Sequence, residues 1–365
     1  GKNRATQAKI QAGNMPNVPE RLWQMVKLSG NKKYGLTIAI LFCFVIALFF
    51  VSFLIGRYSI HPRTVLDIIL ANFIDIEAYW QDDLDLVVMQ VRLPRIMLGI
   101  LVGGALSVSG ASYQTLFKNP MAAPDILGVS AGAGFGAALA MLWNSTWWQV
   151  QIFAFVFGLI AVTATYLIGS VFSKQEITVL ILAGIVVSSF FQALLSIVKT
   201  LADTDTQLPS ITFWLMGSLG KGTNDSVLIM LPALGISLGT LFFFRHHINT
   251  LAAGEDVAAT MGVNVRLIKT ITVCCSTLMT VSAVSICGII GWVGMVVPHI
   301  SRMLTGSSFP RLIVTSFLVG GSFLLIIDNV VRGVEGVELP LGVLTALVGT
   351  PVFVILLSRV KKGWS

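Results

Sequence analysis

From Thr270 to Val297 the chain carries no Asp, Glu, Lys or Arg, and Leu228 to Phe244 is apolar almost throughout. Runs of this length without charge suit the hydrocarbon of a bilayer, and a water-facing surface does not tolerate them. Between the two runs lies one polar island, Leu251 to Gly262, reading Leu-Ala-Ala-Gly-Glu-Asp-Val-Ala-Ala-Thr-Met-Gly. Two buried blocks are therefore separated by a short segment that faces water.

The island reads as a turn at Gly254 and Glu255 running into a short helix. Glu255 and Asp256 favour a helix N-terminus, Ala258, Ala259 and Met261 continue it, and Gly262 is a C-terminal stop. Arg245, Arg266 and Lys269 flank it, and the positive-inside rule then puts it on the cytoplasmic side. On shape alone a solvated loop between helices is a better reading than a lever.

Composition sets the class. Apolar residues make up 55% and charged residues 11%, with a mean hydropathy of +0.85, whereas a soluble domain carries about a quarter charged residues. The net charge of +7 would suggest nucleic acid in a soluble chain. Here the basic residues sit beside apolar spans, so they report topology, and no nucleic-acid partner is expected. Cys43, Cys274, Cys275 and Cys287 lie inside apolar runs without metal-ligand spacing and read as small packing residues.

Residues 1–35 hold Lys2, Arg4, Lys9, Arg21, Lys27, Lys32 and Lys33 against Glu20 alone, which predicts a cytoplasmic extension. Leu36 to Gly56 is then the first retained span. Arg57 to Val91 is acid-rich and belongs to the outer face, with a short surface helix over Pro62 to Phe73. Further spans are expected over Arg95–Leu116, Met121–Trp143, Trp148–Phe172 and Ile177–Leu201, then Ser226–Phe244, Ile268–Cys287, Gly288–Leu304, Arg311–Ile327 and Leu341–Leu357. The loops alternate in charge along this order, giving about ten spans with both termini inside and residues 360–365 as a cytoplasmic tail. Pro209 to Gly217 is apolar and too short to span, a candidate re-entrant or surface helix. Gly103, Gly104, Ser107, Ser109, Gly110 and Ala111, and again Gly128, Ser130, Gly132, Gly134 and Gly136, would let helix backbones touch. Leu127-Gly128-Val129 after Pro124 is echoed by Leu341-Gly342-Val343 after Pro340, as internal repeats in transporters would give.

Catalytic chemistry is not legible. No G-x-x-x-x-G-K-[ST] loop exists, so ATP hydrolysis is not expected of this chain. His246 and His247 are adjacent and cannot share a helical face as a metal pair would, and His299 reads as a structural histidine. No nucleophile and base can be paired from the spacings. Charges within the apolar runs are nearly absent, which argues against a proton relay.

Several motifs, taken together, carry a resemblance. Arg92-Leu-Pro-Arg95, Gly103-Gly-Ala-Leu-Ser-Val-Ser-Gly-Ala111, Gln114, Asn119-Pro-Met-Ala-Ala-Pro124 and Leu127-Gly-Val-Ser-Ala-Gly132 stand in the first half. Gly288 to Arg302, Asp328 with Arg332, and Glu338 to Phe353 stand in the second. In this order they resemble the iron-siderophore, haem and vitamin B12 importer permeases of the ABC class over residues 36–359. Trp292, where that family usually has Phe, and the N-terminal extension are departures.

The resemblance implies an all-α polytopic membrane protein of the type II ABC importer permease fold, in a bacterial cytoplasmic (inner) membrane. It implies a homodimer with the passage at its interface, two ATP-binding cassette subunits that bind the ATP and Mg, and an extracytoplasmic substrate-binding protein. Leu251, Gly254, Glu255, Ala258 and Gly262 match the segment that couples to the ATPase. Arg92, Arg95 and Arg332 match outer-face arginines that receive carboxylates of the binding protein, a role suited to their planar forks. Interfacial snorkelling is the plainer reading of each. The fifth span and the Pro209–Gly217 segment would wall the passage. A ferric siderophore is the expected cargo, with haem or cobalamin behind it. An ion-coupled secondary transporter and a non-transporting scaffold are the readings from other classes.

Overall fold

The computed structural model describes residues 20–56, 60–72, 74, 78–172, 177–334 and 339–360. Residues 1–19 of the expected extension, and the tail residues 361–365, lie outside the described residues. The chain divides into units 1–40 and 41–365, and the division falls inside helix α1 (Glu20–Leu54). Everything below concerns the second unit.

Among the described residues every regular element is helical. After α1 come α2 (Pro62–Ala71), α3 (Asp82–Leu86) and a π-turn over Val87–Arg92 that runs straight into α4 (Leu93–Leu116). Then follow α5 (Val129–Leu142), α6 (Trp147–Phe172), α7 (Ile177–Leu201), α8 (Gln207–Leu215), α9 (Asn224–Phe243), α10 (Arg245–Ala253) and α11 (Glu255–Thr260). The last four are α12 (Val265–Cys287), α13 (Val293–Thr305), α14 (Phe309–Gly333) and α15 (Leu341–Val360). Seven stretches among them are long and apolar enough to cross a bilayer; α5, α13 and α15 occupy the remaining expected spans with shorter helices.

Two expected spans are shorter than the apolar pattern suggested. Met121 to Trp143 is helical only from Val129, because Pro124–Leu127 forms a single 3-10 turn and Gly128 takes φ +81°. Gly288 to Leu304 is helical only from Val293: Gly288 has φ +74° and Trp292 φ +70°, both left-handed. Apolarity continues through both breaks, so hydropathy alone could not locate them. The echoed motifs fall at comparable places, since Gly128 caps the start of α5 and Leu341 and Gly342 open α15.

α4 is the central element, packed by α14, α12, α13 and α9. It is buried along nearly its whole length. The small residues make that possible: a Cβ on Gly110 would stand 2.8 Å from the Gly294 Cα, and one on Gly103 would stand 2.8 Å from the Cβ of Leu324. Hydroxyls then bridge the helices. Ser109 Oγ donates to Ser276 O at 2.9 Å, and Tyr113 and Thr277 share a hydrogen bond of 2.9 Å. α5 and α6 meet in the same way, with Gly132 facing the backbone of Phe157 and Gly136 that of Phe153. Of the four cysteines, Cys275 and Cys287 are buried as packing residues, whereas Cys43 and Cys274 are exposed on the single chain.

Candidate functional site

α4 has a rise of about 36 Å, and the groups of interest gather at its two ends. At its first end the loops join side by side. Asn224 Nδ2 donates to Gln90 Oε1 at 3.0 Å, Gln207 Nε2 to Asn144 Oδ1 at 3.1 Å, and Lys221 lies over the Trp147 ring. Asp203 accepts hydrogen bonds from Thr206 and the Asp205 amide, which hold its carboxyl below the usual carboxylate range. The segments whose charges predicted one face therefore do share one end of the bundle.

The three arginines Arg92, Arg95 and Arg332 also lie at this end, and Asp328 gathers two of them, Arg95 and Arg332. Asp328 is fully buried. Arg95 grips it with Nε and Nη2, each 2.9 Å from Oδ1, and Arg332 Nε lies 3.0 Å from Oδ2. Arg332 Nη1 also donates to the carbonyls of Ser52 at 3.0 Å and Ile55 at 3.3 Å, and Arg92 to that of Phe53. Asn329 completes the knot through Ser52 Oγ at 2.8 Å. The end of α1, the start of α4 and the end of α14 are thus tied by one buried network. Arg92 is 5% exposed, so these are interior groups and not free surface charges. Asp328 stands four residues before Arg332, a spacing visible in the sequence; its pairing with Arg95 spans 233 residues and is not.

The other end of α4 carries the polar island. The turn predicted at Gly254 is there, with φ +154° separating α10 from α11, and Gly262 ends the segment at φ +79°. Glu255 pairs with Lys269 at 2.6 Å, pinning the start of α11 to α12. Leu251 and Ala258 are buried and hold α10 and α11 against the bundle. The outward face belongs to Val257 (47% exposed) and Met261 (67% exposed). From the sequence Met261 is only a continuation of the helix and Val257 has no assigned role, although apolar side chains on a polar island could have marked them. Asn249 Oδ1 accepts from the Phe309 amide at 2.9 Å and so fixes α10 to α14.

Between the ends, α7 has an unusual outer face. Ser189, Gln192, Ser196 and Thr200 recur at helical spacing and are all exposed. The three hydroxyls satisfy themselves on carbonyls four residues back, at 2.8–2.9 Å. A primary amide cannot do this, and Gln192 is left facing outward. No group of three or more His, Cys, Asp or Glu able to hold a metal occurs among the described residues.

A helical bundle with several apolar spans, backbone-to-backbone packing and a pinned polar segment at one end defines a multi-pass membrane protein. More narrowly, the chain belongs to the FecCD transport family, which it matches over residues 44–359. It is an ABC importer permease of the metal-chelate kind. It is 33% identical to the molybdate import system permease of Haemophilus influenzae over 90% of this chain and 96% of that one. A Helicobacter pylori permease named for iron chelatin transport is 34% identical over 76% of this chain and 84% of its own. A solved structure described as a metal-chelate type ABC transporter in an inward-facing conformation superposes with a TM-score of 0.78. It is 32% identical and covers 88% of this chain and 98% of that one.

Proposed function

We propose that this chain is the translocation subunit of an ATP-driven importer of a ferric siderophore, working as a homodimer in a bacterial inner membrane. Haem and cobalamin are the alternatives within the same chemistry. The observation that carries the passage is the polar stripe of α7. An unpaired amide against lipid costs several kcal/mol, so Gln192 and its neighbours face water, and a second copy of the chain closes that water-filled path. The stripe holds hydroxyls and an amide and no carboxylate, which suits weak hydrogen bonding to a chelate that keeps its metal wrapped.

Power enters at α11. Val257 and Met261 are the contact points for an ATP-binding subunit, which binds the ATP and Mg, while Leu251, Ala258 and the Glu255–Lys269 pair make the segment rigid. Gly254 and Gly262 set its bends. At the opposite end, Arg95 and Arg332 close on one carboxylate with Arg92 nearby, and their guanidiniums are the contact for carboxylates of a substrate-binding protein. Since Asp328 already fills the forks of Arg95 and Arg332, docking there proceeds by exchange of one carboxylate for another.

The test is reconstitution with an ATP-binding subunit and a substrate-binding protein from the same organism. Proteoliposomes should accumulate a ⁵⁵Fe-labelled siderophore with ATP, and not labelled molybdate, haem or cobalamin. Uptake by the chain alone on an ion gradient would make it a secondary transporter. Glu255→Arg, which sets a second cation beside Lys269 and frees the start of α11, should weaken co-purification of the ATPase.

A further inference from the structure

α4 ends at Leu116, and the chain then makes a tight turn, Lys118 to Met121, before the 3-10 turn that precedes α5. Lys118 is held at φ 48°, a left-handed conformation disfavoured for a lysine. The turn is closed by its own asparagine, since the Met121 amide donates to Asn119 Oδ1 at 2.9 Å and the Ala122 amide to Asn119 O at 3.1 Å. It is thus a preformed unit and not a slack linker.

Two neighbours flank this unit, one by proximity and one by a hydrogen bond. On one side Lys118 Nζ stands 3.9 Å from where a Cβ on Gly254 would lie, at the hinge that opens α11. On the other, His299 Nε2 is 2.9 Å from Pro120 O. A carbonyl only accepts, so Nε2 carries the proton and donates. The His299 ring also meets Phe353 of α15 edge to face, with centroids 5.9 Å apart. Phe353 packs likewise on Trp292, the left-handed residue that starts α13. Among the described hydrogen bonds, His299 to Pro120 is the tie between this turn and α13. The second brace at this end, Arg302 to Gln114 and Gln114 Nε2 to Met295 O at 3.1 Å, fastens α13 to α4 itself.

We infer that His299 is a positioning residue for energy coupling: through the Pro120 carbonyl it locks the Lys118–Met121 turn and α13 into one moving body. A displacement of α11 is then handed through Lys118 to the turn, through His299 to α13, and through Phe353 to α15. The inference rests on reading Leu251–Gly262 as the coupling segment. Neither side chain has to titrate for it. What matters is one N–H donor held at the length and angle of an imidazole, backed by an aromatic ring.

The experiment reads the lock directly. Met121 and Met303 are both exposed, at 52% and 58%, and take spin labels as cysteines once the exposed Cys43 and Cys274 are serine. In nanodiscs with the ATP-binding subunit, and with labelled chain diluted into an excess of unlabelled chain so that only one protomer of a dimer carries labels, the 121-to-303 distance should be single and narrow, and the same without nucleotide and with ATP trapped. His299→Phe keeps the ring against Phe353 and removes the donor; His299→Ala removes both. Each should widen the distribution to at least about double while ATP hydrolysis stays within about twofold, the signature of a broken link and not of misfolding. His299→Gln, whose amide can reach the same carbonyl, should restore the narrow distance. A narrow distance in His299→Phe would overturn the inference, as would a shift between nucleotide states in the otherwise unsubstituted chain. Failure of the coupling reading looks different: the ATP-binding subunit would not co-purify with the unsubstituted chain, while the lock would still be measurable in the permease alone.

Discussion

Asp328 is the residue on which the buried arginine knot depends, and its removal gives a sharp expectation. Breaking a buried ion pair leaves uncompensated charge and costs about 3–5 kcal/mol, so Asp328→Asn should markedly lower the thermal unfolding midpoint of the purified permease. The exposed pair of Arg63 with Asp67, 3.8 Å apart, is the control. Arg63→Ala should change stability by less than about 1 kcal/mol. A null result for Asp328→Asn would mean that solvent reaches the knot. Glycines give a second contrast at the same scale. Gly110 has no room for a Cβ against Gly294, whereas Gly235 has open space around it. Gly110→Ala should cost roughly 1–3 kcal/mol or more from overpacking, and Gly235→Ala should be neutral or slightly favourable, both read by unfolding of the purified protein. The sequence showed the glycines but not their partners: Gly110 and Gly294 lie far apart along the chain, and only the packing of α4 on α13 brings them together.

At the scale of elements, legibility followed physical cause. The polar island was readable because its turn and stop both need glycine at positive φ, and local chemistry fixes such positions. The broken spans at Gly128 and at Gly288 to Trp292 were not readable, because their backbone lies in the protein interior and the side chains stay apolar across the break. The acidic residues placed Arg57 to Val91 on the outer face, but they did not show that α3 and the π-turn continue into α4 without interruption. The stripe on α7 is an element-scale feature that the apolar count conceals. Single cysteines at Ser189, Gln192, Ser196 and Thr200, in a background lacking exposed thiols, should react with a membrane-impermeant maleimide. Cysteines at Val186, Phe190 and Ile197, also exposed but on the adjoining apolar face, should react at least about tenfold more slowly if lipid or a partner helix covers them. Equal rates on both faces would remove the passage from α7.

At the scale of the whole molecule, a gate worked from outside needs a connector whose inner side is fixed and whose outer side is free. α10 and α11 have this division. Leu251 and Ala258 are buried against the bundle, and Glu255 is paired to α12, while Val257 and Met261 project outward. Substitutions on the two sides should therefore fail in different ways. Val257→Asp with Met261→Asp should leave the unfolding midpoint unchanged, since neither exposed side chain contributes to the core, and should abolish association with the ATP-binding subunit by placing charge in an apolar contact. Ala258→Leu should do the reverse, because overpacking a fully buried position costs about 1–3 kcal/mol. It would lower the midpoint first and weaken association only as the segment loosens. Calorimetry and co-purification on the same two preparations decide the matter. If the outward pair destabilises the permease without releasing its ATPase, α11 is a structural strut, and force must enter the bundle elsewhere.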